Sequence, residues 1–77
     1  MRNGQDTWPA LMSLKAFERD VLLAAGCVYL GSESSHYHYK TPGDHRIHVC
    51  GQRIGPRTQK AIRSLLDNEH EARTHAT

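Results

Sequence analysis

From Leu11 onward the apolar residues fall at Leu11, Leu14, Phe17, Val21, Leu22 and Ala25, the spacing of one helix face. Ser13 or Thr7 is the candidate cap at its start. Gly26 closes it, since glycine suits the left-handed conformation that follows a helix. Three strand-like runs come next. Cys27-Val28-Tyr29-Leu30 is β-prone and runs into the turn-like polar stretch Gly31-Ser32-Glu33-Ser34. Residues 35–41 and 45–50 each alternate strictly, and Pro42-Gly43-Asp44 between them reads as a tight turn with Gly43 at positive φ. After Gly51, the pair Gly55-Pro56 opens a second helix, because a proline at the first helical position has no N–H to leave unpaired. That helix turns Ala61, Ile62, Leu65 and Leu66 to the core and Arg57, Lys60 and Arg63 towards the other side.

Alternation fixes more than the strands themselves. With a three-residue loop at 42–44, His36 stands across from Cys50, His38 from His48, and Lys40 from Arg46. Tyr37, Tyr39, Ile47 and Val49 then share the face turned to the helices. A slip of one residue would send histidines inward and tyrosines outward, so the pattern selects this register. The expected fold is α+β: an α-β-β-β-α chain with a three-stranded antiparallel sheet and two helices packed on one face. Residues 1–10, with Gly4 and Pro9, read as a flexible lead-in from which Trp8 packs back. Residues 11–68 form the single domain, and residues 69–77, which lose the apolar period, form a frayed or disordered tail.

Composition narrows the class. The chain has 77 residues with 38% hydrophobic and 6% aromatic content, which allows one domain with a thin core. Its longest apolar run, 21–25, is far short of the ~20 residues a bilayer requires, and there is no secretory h-region. Two cysteines make no disulfide framework, so a reduced, cytoplasmic protein without a membrane partner is expected, with Cys27 and Cys50 as free thiols. The net charge of +2 is unevenly spread. Lys40, Arg46, Arg53, Arg57, Lys60 and Arg63 face a single acid, Asp44, between residues 40 and 63. Such a patch is the electrostatic footprint of a nucleic-acid binder, although a solvated face can carry the same charge.

The open face of the hairpin carries His36, His38, Lys40, Arg46, His48 and Cys50. Imidazole both gives and takes protons near neutral pH, so acid–base work on RNA suits this face. A metal-free ribonuclease needs a base for the 2′-hydroxyl, an acid for the leaving 5′-oxygen, and cations for the charge on phosphorus. Lys40, Arg46, Arg57 and Lys60 are the candidate phosphate contacts, with His38 and His48 in support. The bland reading of these histidines is plain polar strand decoration. No metal or other cofactor is expected, because paired C-x-x-C or H-E-x-x-H spacing is missing. Zinc held by His36, His38, His48 and Cys50 is the alternative.

The order Gly26-Cys27-Val28-Tyr29-Leu30-Gly31, Ser34-Ser35-His36-Tyr37-His38-Tyr39 and Arg46-Ile47-His48-Val49 resembles the HicA family of small toxins. Gly55-Pro56-Arg57-Thr58-Gln59-Lys60-Ala61-Ile62 looks like that family's segment before its closing helix, and the likeness runs over about residues 11–68. The resemblance implies a double-stranded-RNA-binding-domain-like fold and endoribonuclease activity on mRNA, the activity of an mRNA interferase. It also implies a cognate antitoxin that masks the active face. The family's catalytic histidine follows a Gly-Ser pair, and the matching position is His36, with Ser34 standing where the family has glycine. A second departure is Cys50-Gly51-Gln52 in place of a Pro-x-His. The competing reading is a non-catalytic, phage-type inhibitor or nucleic-acid-binding module that blocks a host protein or a nucleic-acid groove.

Overall fold

The computed structural model describes residues 10–75. The readings of Trp8, of Thr7 as a cap and of residues 1–9 as a lead-in lie outside the described residues, as do residues 76–77. The elements are β1 (Met12–Ser13), α1 (Leu14–Phe17) with a π-helical continuation (Glu18–Leu23), β2 (Val28–Glu33), β3 (His36–Lys40), β4 (Arg46–Cys50), β5 (Arg53–Ile54) and α2 (Pro56–His75). The fold is α+β. Strands β2, β3 and β4 form a three-stranded antiparallel sheet in that order. A second, two-stranded ladder, Met12 opposite Ile54 and Ser13 opposite Arg53, was not expected. It ties the start of the first helix to the start of the last, helped by Leu14 N–H donating to the Gln52 carbonyl at 2.7 Å.

Ser13 is the cap of α1: its hydroxyl accepts from Ala16 N–H at 3.1 Å. The helix therefore begins after Leu11, which is 57% exposed rather than part of the core face. Beyond Phe17 the turns widen. π-helical hydrogen bonding to the fifth residue stacks side chains five apart, so Phe17 and Leu22 both reach full burial. The helix ends in a Schellman pair, Cys27 N–H to the Leu22 carbonyl and Gly26 N–H to the Leu23 carbonyl, with Gly26 at φ +90°.

The hairpin register is the expected one. Cross-strand partners are His36 with Cys50, Tyr37 with Val49, His38 with His48, Tyr39 with Ile47, and Lys40 with Arg46. Tyr39, Ile47 and Val49 are buried beside Leu14, Phe17, Leu22, Ile62 and Leu66, with Tyr37 at the margin. Each such side chain is worth roughly 1.5–3 kcal/mol on burial, so a one-residue slip would cost several kcal/mol. Tyr39 also donates its hydroxyl to Glu18 Oε2 at 2.7 Å; burial first, and then this carboxylate, push the phenol far above its ordinary pKa.

Two turns differ from expectation. Strand β2 does not stop at Gly31 but continues to Glu33, with a bulge between Tyr29 and Gly31. The reversal is made by Ser34 and Ser35, both left-handed at φ +52° and +67°, as a two-residue type I′ hairpin requires. At 42–44 the left-handed residue is Asp44, φ +73°, and not Gly43. Asp44 N–H donates to the Thr41 carbonyl at 2.8 Å, and Pro42 takes the position where its fixed φ fits.

Gly43 is needed for a different reason. A Cβ there would lie 2.5 Å from the Glu69 carboxyl carbon. Glu69 belongs to α2, which does not fray after Asn68 but runs on to His75. Its side chain is buried, and its carboxylate accepts from Thr41 Oγ1, from His45 Nδ1 and, at 2.9 Å, from Gly43 N–H. Arg73 stands 3.7 Å away, one turn further along. Burial alone would raise the Glu69 pKa, but the hydrogen bonds of Thr41, His45 and Gly43, with the charge of His45, outweigh it and hold the carboxyl below its usual 4.5.

On the rest of α2, Ile62 and Leu66 are buried, Leu65 is half-buried and Ala61 is exposed, so the core stripe is narrower than expected. Gln59 fills part of the difference. It is buried and donates to the carbonyls of Ala10 at 2.6 Å and Ile54 at 2.8 Å. Arg63 lays its guanidinium 5.6 Å from the centre of the Phe17 ring, packing the two helices together.

Two outcomes follow from the Glu69 contacts. Gly43→Ala lowers stability by about 1–3 kcal/mol in urea unfolding, and the loss shrinks when Glu69→Ala is already present. Because the native pKa of Glu69 is depressed, its contribution is complete above about pH 4.5 and disappears as pH falls through the native value. Urea midpoints between pH 7 and pH 3 therefore decline more steeply for this chain than for Glu69→Gln.

Candidate functional site

Side chains on the open face of the sheet are placed by register alone. His36 lies directly opposite Cys50, and His48 lies two residues before Cys50 on the same face of β4. These three converge. His36 Nδ1 is 2.9 Å from His48 Nε2 and 3.0 Å from Cys50 Sγ, and Sγ is 3.8 Å from His48 Nε2. His38, opposite His48, does not join them; it stacks on the His48 ring at 4.8 Å with an interplanar angle of 5°. The four-residue set considered from the sequence thus separates into a converging trio and a buttress.

The end of the ladder is held shut. Gly51, at φ +84°, turns its N–H to the Ser35 carbonyl at 2.7 Å, which pins the residue after Cys50 to the residue before His36. Glu33 is the next partner of His36 on the same face, so one carboxylate borders the trio. Within the trio, one N–H can lie between the two imidazoles, one nitrogen donating and the other accepting.

The basic residues are only partly gathered. Lys40 and Arg46 face each other at the far end of the same face, where Lys40 also pairs with Asp44 at 3.4 Å. A shallow groove of about 380 Å³ between β4 and α2 is lined by Arg46 and His48 from the strand and by Arg57 and Thr58 from the first turn of the helix. Arg57 therefore lines the same groove as His48, at a helix N-terminus whose dipole favours anions. Lys60 is exposed one turn further along and does not line this groove.

Sequence reasoning missed Glu33 as a neighbour of His36, because β2 was expected to end at Leu30. It also passed over His45, which belongs to the Glu69 contacts and not to the open face. The alternation of 45–50 placed His45 with the core-facing set, and nothing local pointed to a partner 24 residues away.

No family model, no curated protein and no solved structure matches this chain. Among the described residues, no helix is long and apolar enough to cross a membrane.

The two cysteines sit in opposite settings. Cys50 is exposed, whereas Cys27 is buried, and its thiol is pushed up by burial and then by the charge of Glu69. A thiol reagent added to the folded chain therefore titrates one cysteine promptly, and the second only when urea opens the core. Prompt reaction of both would show that the Cys27 packing is wrong.

Proposed function

We propose that the chain is a small RNA-binding, HicA-like toxin: a metal-independent endoribonuclease that cleaves mRNA with His36 as its acid/base. The observation that carries this reading is the position of His36 on an exposed sheet face, 2.9 Å from a second imidazole and on the same face as Lys40 and Arg46. In the reaction, His36 takes the proton of a ribose 2′-hydroxyl. The resulting oxyanion attacks the adjacent phosphorus and forms a cyclic phosphate, and the 5′-oxygen departs with a proton from a conjugate acid. His48, within hydrogen-bond distance of His36, is the natural partner for passing that proton. Lys40, Arg46 and Arg57 supply positive charge to the phosphate and hold RNA without choosing sequence. Lys60 extends the same cationic surface along the helix.

Setting aside the short β1–β5 ladder, the order of the two helices and the three-stranded sheet, α-β-β-β-α, is compatible with the double-stranded-RNA-binding-domain-like fold that the family resemblance implies. Ser34 at φ +52° supports the correspondence further, because it stands where the family has glycine and adopts a backbone conformation glycine prefers. A cognate antitoxin would cover the histidine face, and the reading places the protein in the cytoplasm with its message.

The test is purified protein on a long RNA in excess EDTA, beside His36→Ala. Cleavage is expected to persist in the chelator and to fall at least about 100-fold in the variant, the scale of a lost acid/base. Tight, salt-sensitive RNA binding without cleavage would instead identify a non-catalytic binding module.

A further inference from the structure

We propose that His36, His48 and Cys50 form a Zn2+ site with three protein ligands and a fourth position open to water or an exchangeable ligand. Zinc at its usual distances, about 2.0–2.1 Å to nitrogen and about 2.3 Å to sulfur, sets tetrahedral ligand atoms about 3.3–3.6 Å apart. The trio spans 2.9, 3.0 and 3.8 Å, on both sides of that range, so small rotations of three exposed side chains bring all donors onto one ion. Two imidazole nitrogens and a thiolate are the donor set zinc prefers, and among the described residues these are the side chains whose ligand atoms meet in this way.

The surroundings look built for fixed geometry. His38 stacks on His48 and restrains its ring plane, and the Gly51-to-Ser35 hydrogen bond holds Cys50 opposite His36. Before binding, the three donor atoms crowd one point. On binding, the Cys50 thiol releases its proton to solvent, the two neutral imidazoles give lone pairs, and one cation replaces the contested hydrogen bonds. The site stands on this geometry alone. Its regulatory consequence rests on the ribonuclease reading: a His36 nitrogen bound to zinc cannot exchange a proton with the ribose, so metal loading switches cleavage off.

The decisive experiment titrates the reduced, chelator-stripped full chain with Co2+. A thiolate-to-cobalt charge-transfer band should rise to saturation at one equivalent per chain and be bleached by one equivalent of Zn2+. Cys50→Ser should abolish the band while keeping the circular dichroism and urea midpoint of the folded chain. His36→Ala and His48→Ala should each weaken cobalt binding by at least about tenfold, and His70→Ala, at an exposed position on α2 outside the trio, should leave it unchanged. The proposal is overturned by a band that survives in Cys50→Ser, by saturation at half an equivalent with dimer formation, or by no saturable band. RNA cleavage measured with and without one equivalent of zinc separates the two readings. Cleavage by a chain that binds no cobalt sinks the metal site and leaves the ribonuclease. One-equivalent binding by a chain that never cleaves RNA does the reverse. Where both hold, zinc should suppress cleavage in the parent and not in Cys50→Ser.

Discussion

A carboxylate near the end of the chain governs the hairpin near its middle. Glu69 reaches from α2 into the loop between β3 and β4, where it is bound by Thr41, Gly43 and His45. That loop sets the pairing of Lys40 with Arg46, and every later pair up to His36 and Cys50 follows from it. The cost of burying Glu69 is offset by hydrogen bonds from three separate donors, which is why its charge can be kept inside. The histidine face and the hydrophobic face are two sides of one register, so an interaction that fixes one fixes the other.

This dependence explains what could be read in the amino acids and what could not. The alternation of Tyr37, Tyr39, Ile47 and Val49 against His36, His38, His48 and Cys50 is a local pattern, and it led directly to the observed pairing. Ser13, Gly26 and Pro56 likewise act through backbone chemistry within a few residues. Glu69 and Gln59 were missed because their partners are far away in sequence: Thr41 is 28 residues before one, and Ala10 is 49 before the other. A buried polar residue on a helix reads as solvent-facing until its partner is known. The π-helical stretch was also hidden, since Phe17 and Leu22 fit an ordinary helical face closely enough to mask the change.

At the site, the register brought four candidates to one face, but only side-chain geometry divided them. His36, His48 and Cys50 meet at their ligand atoms, while His38 contributes a ring plane. The same convergence suits either proposed use, proton exchange between imidazoles or coordination of a divalent cation. Under the two proposals these uses exclude each other at any one moment, because a ring nitrogen bound to a metal has no lone pair left for a proton. The nearby cations, gathered by β4 and the first turn of α2, suit an anionic partner in either state.

The bulge in β2 has a consequence for how these molecules behave towards one another. Among the described residues β2 is an outer strand of the sheet with no strand paired to its other edge, and Val28, Tyr29 and Leu30 along it are 54%, 45% and 43% exposed. A straight apolar edge of this kind invites a second chain to add its own strand and begin aggregation. The irregularity between Tyr29 and Gly31, with Gly31 at φ +128°, breaks the even spacing of donors and acceptors that such a strand would have to match. The same kink that costs the sheet one regular pair acts as a guard on its open side.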